Sequence, residues 1–125
     1  MTVSKQATRR RAPRLSVDRP GRLTGRLSQA VTVIDLSLTG CLVRCRTLLD
    51  SGAILDLEIA LDDGPLTAKV RVAESSVDGA RTGTDGPRCL AGAEFLGLPP
   101  REATRLRRFL DEERRRRRSA DAPSR

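Results

Sequence analysis

Apolar and polar residues alternate with a period of two along much of this chain, the signature of half-buried strands. The clearest case is Leu55-Asp56-Leu57-Glu58-Ile59-Ala60-Leu61, whose aliphatic side chains face one side and whose carboxylates mostly face the other. From Leu15 the pattern is extended, with Leu15, Val17, Leu23 and Leu27 predicted inward and a break at Pro20-Gly21. Residues 30–36 are rich in β-branched side chains, and Cys41, Val43 and Cys45 alternate with Leu42 and Arg44. Asp62-Asp63-Gly64-Pro65 reads as a hairpin turn and nothing more. Residues 66–73 then return as a strand with Val70 and Val72 inward. Residues 75–87 are polar and contain Gly79, Gly83 and Gly86, which predicts a long mobile loop before a last strand over 89–96.

Near the C-terminus the period changes. Ala103, Leu106, Phe109 and Leu110 fall on one helical face, predicted to pack on the strands, and Pro99-Pro100 suits a first helical turn. Asp111, Glu112 and Glu113 stand four residues before Arg115, Arg116 and Arg117, which favours ion pairs on exposed faces. The helix is expected to fray near Ser119, leaving residues 120–125 as a loose tail, and residues 1–8 read as another. Several short strands separated by turn signals, followed by one helix, predict a small antiparallel barrel or sandwich.

Composition narrows the function. At 125 residues the chain suits one domain with tails. It contains no apolar run long enough to span a bilayer and no secretory leader, so a cytoplasmic location is expected. There is no histidine, which removes the usual general base, and no catalysis is expected. With no C-x-x-C either, no metal site and no cofactor are expected. Cys41 and Cys45 lie on one strand face roughly 13 Å apart at ~3.3 Å per residue, too far for a disulfide. Cys89 stands alone, and all three read as small buried hydrophobes. Tyr and Trp are absent and Phe occurs twice, so a stacking platform for single-stranded nucleic acid is missing. The net charge of +8 calls for an anionic partner. That charge is concentrated at the two ends, in Arg9, Arg10, Arg11 and Arg14 and in the run from Arg114 to Arg118.

Two short motifs carry the candidate chemistry. Arg10 and Arg14 have R-x-x-x-R spacing, and Asp35-Leu36-Ser37-Leu38-Thr39-Gly40 is a D-x-S-x-x-G. A guanine base offers O6 and N7 acceptors that match an arginine fork, and N–H donors that a carboxylate such as Asp35 can accept. Phosphates call for positive charge and hydroxyl or backbone donors. Ser37 supplies a hydroxyl, and Gly40 permits a tight turn and close approach. If the first two strands pair antiparallel, Arg14 before the first and Asp35 at the end of the second meet at one end of the sheet. Each motif also has a plain structural reading. The R-x-x-x-R spacing recurs at Arg22 and Arg26, Asp35 and Ser37 can cap a turn, and Arg114–Arg118 can be a solvated helix end suited to the helix dipole.

The two motifs in this order, with Gly92-Ala93-Glu94-Phe95 and the following helix, resemble the PilZ domain family of cyclic di-GMP receptors over about residues 9–110. The resemblance implies an all-β fold, a six-stranded antiparallel β-barrel with a C-terminal α-helix. It divides the chain into a tail over 1–8, a PilZ-like domain over 9–113 and a basic extension over 114–125. It implies cyclic di-GMP as ligand, held by Arg10, Arg14, Asp35, Ser37 and Gly40, with Arg9 and Arg11 as weaker candidates. The implied role is a small cytoplasmic signalling adaptor with a downstream protein partner, in which the arginine segment closes over the ligand. Two other readings compete. One is a PilZ-like protein-interaction module that binds no nucleotide. The other is a basic nucleic-acid-associated protein using Arg114–Arg118.

Overall fold

Alternation along each strand places one set of side chains inside a closed sheet. The computed structural model describes residues 13–83 and 86–121. Its strands are β1 (Leu15–Thr24), β2 (Ser28–Leu36), β3 (Gly40–Cys45), β4 (Ile54–Leu61), β5 (Gly64–Gly83) and β6 (Gly86–Phe95), followed by helix α1 (Pro100–Asp121). Every neighbouring pair is antiparallel, in the order β1-β2-β3-β6-β5-β4, and pairing of β1 with β4 closes the barrel. Of barrel and sandwich, the barrel is the one formed.

The core follows the period of two. Val31 and Val33, Cys41, Val43 and Cys45, Leu57, Ile59 and Leu61, and Leu66, Ala68 and Val70 are all buried. Leu106, Phe109 and Leu110 of α1 belong to the same cluster and close one end of the barrel, as the helical stripe predicts. Burying a side chain such as Leu or Val is worth about 1.5–3 kcal/mol, so this stripe fixes the helix.

Charge then locks the joint. Arg105 pairs with Asp63 at 2.8 Å and with Glu102 at 2.8 Å, and donates to the carbonyls of Gly64 and Pro65 at 2.9 Å each. That bond holds the Asp63 carboxyl below its ordinary range, mainly through the hydrogen bond from Arg105. Arg19 donates Nε–H to the Ala60 carbonyl at 2.8 Å, pairs with Asp62 at 3.1 Å and lies over the Phe109 ring at 5.6 Å. The Asp62-Asp63 turn is therefore more than a turn: it is the anchor for β1 and for the helix.

Several expectations are corrected. Leu27 is 84% exposed, because it sits in the β1–β2 turn beyond the reach of the core. Pro20-Gly21 makes no break, since β1 runs through it. A Cβ at Gly21 would stand 2.8 Å from the Glu58 carbonyl, so the glycine serves close approach of β4 where the barrel closes. Residues 75–83 and 86–87 belong to strands rather than to a long loop. β5 and β6 extend as a hairpin ladder out to Gly83 opposite Gly86. Backbone pairing of this kind needs no apolar side chains, so the sequence shows no apolar alternation there. The helix continues past Ser119 to Asp121, crossing residues 113 and 114 without a break. Its ion pairs are mostly three apart, Asp111–Arg114 and Glu113–Arg116, with Glu113–Arg117 four apart at 4.0 Å. Cys89 is not alone: it lies directly opposite Cys45 across β3 and β6.

All three cysteines are free and buried. Burial pushes the Cys41 thiol up to about 12, helped by the negative charge of Asp35 and opposed by Arg14. Burial, then Cys89, raises Cys45 to about 11. Both thiols are neutral at physiological pH and behave as small apolar groups. Among the described residues, no cluster of three or more His, Cys, Asp or Glu could hold a metal ion, and no helix is long and apolar enough to cross a membrane.

Candidate functional site

The strands at the head of the barrel bring Arg14 of the first motif to Asp35 of the second. Leu15 is paired with Leu36 and Ser16 with Asp35, so Arg14, just before β1, reaches Asp35 near the end of β2. Both strands are irregular there. β1 carries an extra residue between Ser16 and Arg19, and β2 gains one over β3 between Val33 and Asp35. Bulges of this kind bend a strand and re-aim its side chains. Arg14 Nη1 donates to both Asp35 oxygens, at 3.3 and 3.4 Å. A single nitrogen makes both contacts, and the Arg14 and Asp35 side chains are 45% and 22% exposed. A pair this open is worth about 0–1 kcal/mol.

Ser37 does different work. It is the one buried polar side chain among the described residues, 1% exposed. Its Oγ accepts from the amides of Thr39 and Gly40 at 3.1 and 3.2 Å, and its own amide donates to the Gly40 carbonyl at 2.9 Å. This is a side-chain-capped turn between β2 and β3. A Cβ on Gly40 would stand 2.3 Å from the Ala93 carbonyl of β6, so only glycine lets the two strands meet there. Ser37 and Gly40 thus build the turn that displays Asp35.

Beside the motifs, on the outer face of β3 and β6, lies a cavity of about 330 Å³. Arg14, Thr39, Gly40, Leu42, Glu74, Gly92, Glu94 and Phe95 line it; Asp35 and Ser37 do not. The helix touches the same region. Arg114 donates to the Pro13 carbonyl at 3.4 Å and Arg117 to that of Ser16, on either side of Arg14. Arg116 pairs with Asp62 and Glu113, whereas Arg115 and Arg118 have no partner among the described residues. Arg9, Arg10 and Arg11 lie outside the described residues.

Sequence reasoning missed Leu42, Glu74 and Glu94 as lining residues. Leu42 carried a signal, an apolar residue at an outward position of a strand. The two glutamates carried none, because exposed carboxylates on a strand are ordinary. Gly92 is informative for the opposite reason to Gly40. A Cβ there would meet nothing nearer than Glu74 Cγ at 3.9 Å, so packing does not require glycine at this position.

The sequence matches the PilZ domain over residues 8–112. The chain belongs to the PilZ domain family. Its fold is similar to the PilZ domain of YcgR from Escherichia coli with c-di-GMP, at 22% identity and a TM-score of 0.71, over 92% of this chain and 99% of that one. A crystal structure of YcgR from the same organism in complex with c-di-GMP matches at 25% identity and a TM-score of 0.68, over 90% of this chain and 50% of that one. The K. pneumonia MrkH–c-di-GMP complex matches at 18% identity and a TM-score of 0.70, over 90% and 55%. The chain therefore spans about half the length of these last two proteins. No curated protein matches it significantly.

Proposed function

We propose that this chain is a receptor for cyclic di-GMP that relays the bound state to another molecule, without catalysis. One observation carries the reading: the exposed Arg14–Asp35 pair stands at the lip of a cavity on the β3–β6 face, where Gly92 leaves the surface flat without a packing need. In the ligand complex Arg14 exchanges Asp35 for a phosphate or a guanine Hoogsteen edge. Asp35 is then released to accept guanine N–H groups. Arg10 closes from the N-terminal side, with Arg9 and Arg11 adding positive charge. Ser37 and Gly40 act chiefly by fixing the turn. Family membership and the c-di-GMP complexes of YcgR and MrkH support this assignment.

The relay runs through α1. Arg114 and Arg117 hold the backbone on both sides of Arg14, so a ligand that repositions Arg14 changes the footing of the helix end. The ligand shifts this equilibrium only by its differential affinity for the two arrangements. The cytoplasm, where second messengers act, is the compartment this role requires.

A second reading has an observation in its favour. Ser37 and Gly40 are fully explained by the turn and by strand packing, as a PilZ-like interaction module without nucleotide would require. The nucleic-acid reading loses ground, since Arg114, Arg116 and Arg117 are engaged within the chain. MrkH is described as a c-di-GMP-dependent transcription regulatory factor; any such partnership here would use Arg115 and Arg118.

Calorimetric titration with cyclic di-GMP, with cyclic di-AMP and GTP as controls, tests the receptor reading. Saturable binding of cyclic di-GMP alone, lost in Arg14→Ala, supports it. A folded protein that binds no cyclic di-GMP, and whose protein partner is retained by Arg14→Ala, establishes the interaction module instead.

A further inference from the structure

The end of the barrel away from α1 is formed by the β1–β2 turn and the β3–β4 connection. Thr24 lies opposite Asp56 near the start of β4, whereas the helix is anchored past the end of that strand, at Asp62 and Asp63. A groove of about 490 Å³ opens at this far end, and it shares no lining residue with the cavity at Arg14. Its floor is Leu23, which is buried, with Leu49 and Leu55 packed against the core. Its walls are Leu27, Leu48 and Ile54, which are 84%, 53% and 55% exposed. Three of the five large apolar side chains exposed among the described residues thus surround one hollow. Leu27 is held in place there, since the Gly25 amide donates to the Leu27 carbonyl at 3.0 Å and closes the turn that carries it.

Single exposed leucines are ordinary, but contiguous apolar surface around a concavity marks a contact with another molecule. The charges on the groove say which molecule. Its lining holds one cation, Arg26, and one anion, Asp50. Among the described residues, neither side chain has an ion-pair or hydrogen-bond partner. An acidic partner would set its charge against Asp50, and a basic one would set it against Arg26. A patch with one knob, one hollow, one cation and one anion is complementary to itself, which is what a twofold interface requires. The net charge of +8 opposes the pairing of two copies. Arg14 and the helix arginines beside it, Arg114 and Arg117, lie at the α1 end, the length of the eight-residue strand β4 away. Salt screens charge over about 8 Å, so most of that repulsion does not reach the contact.

We propose that this groove is the contact between two copies of the chain related by a twofold axis. Leu27 of each copy covers the Leu49–Leu55 floor of the other, and Arg26 of each pairs with Asp50 of the other. Both Arg14 sites and both helices stay on the outside of the dimer, facing away from the contact. This inference does not rest on the cyclic di-GMP reading.

Sedimentation equilibrium of the full chain without ligand, over a range of concentrations, tests it. The expected result is a monomer–dimer equilibrium that saturates at twice the mass of the chain. Leu27→Asp, at a turn position exposed enough to leave the fold intact, raises the dissociation constant by about 30-fold. Arg26→Asp and Asp50→Arg each raise it by about tenfold. The double variant that combines them returns to the wild-type value, because the pair is restored with its signs exchanged. A chain that stays monomeric up to about 1 mM overturns the proposal and leaves the groove to a different protein. A dimer that Leu27→Asp leaves intact overturns it too, as does a double variant as weak as the single ones.

Discussion

Arg14 and Arg105 are both arginines beside carboxylates, yet they are committed differently. Arg105 is 19% exposed, meets two carboxylates at 2.8 Å and two backbone carbonyls, and joins the helix to the β4–β5 turn. Arg14 is 45% exposed and offers one nitrogen to one carboxylate at 3.3 Å, at the edge of a cavity. The first arrangement spends every donor direction on the fold. The second leaves the guanidinium available, so a ligand can replace Asp35 at little cost. The number and burial of partners, not residue type, separate the joint from the proposed site.

The comparison breaks most visibly in binding. Arg14→Ala and Asp35→Ala should each weaken cyclic di-GMP binding by about 10- to 100-fold, the worth of hydrogen bonds to charged groups. Thermal stability should change by less than about 1 kcal/mol in either variant, as for exposed pairs. A large loss of stability in Arg14→Ala would show that the pair is a joint after all. Arg105→Ala should do the reverse: chemical denaturation should register a loss of about 1–3 kcal/mol, while the folded variant keeps its affinity for cyclic di-GMP.

The two glycines on the β3–β6 face sharpen the same contrast. Gly40→Ala places a methyl against the Ala93 carbonyl and should destabilise by about 1–3 kcal/mol. Gly92→Ala meets only ordinary contacts and should stay within about 0.5 kcal/mol of wild type, yet reduce ligand affinity by raising the floor of the cavity. Equal stability losses in the two variants would remove the argument that Gly92 serves the ligand.

The smallest effect is in pH. Arg105 lowers the folded-state carboxyl of Asp63 below its ordinary 3.8. A depressed carboxyl stabilises the fold fully above its unfolded value, and that contribution is lost as pH falls through the lower folded value. Melting temperature should therefore drop more steeply with acid, below about pH 4, in wild type than in Asp63→Asn. Identical acid profiles would show that the Arg105–Asp63 bond does not contribute.

Much of the fold was legible because burial has a period. Leu57, Ile59 and Leu61 alternate with carboxylates and an alanine, and Leu106, Phe109 and Leu110 follow helical spacing; each set is buried. The hairpin beyond residue 75 was not legible, since its backbone ladder leaves no apolar signature. Leu27 was misread because an apolar residue in a turn looks like one more inward position. At the site, strand order brought Arg14 to Asp35 as the antiparallel pairing requires. What sequence could not divide was the work of the second motif. Asp35 faces Arg14, while Ser37 and Gly40 serve the turn and the approach of β6, a distinction fixed by backbone contacts many residues away.

Chemical-shift mapping of uniformly labelled protein during titration with cyclic di-GMP tests the central claim most directly. Saturable shifts centred on Arg14, Asp35, Gly40, Leu42 and Gly92, with smaller ones at Arg114 and Arg117, are the predicted result. A folded protein that gives no saturable shifts, or whose shifts leave Arg14 and the β3–β6 face untouched, would contradict it.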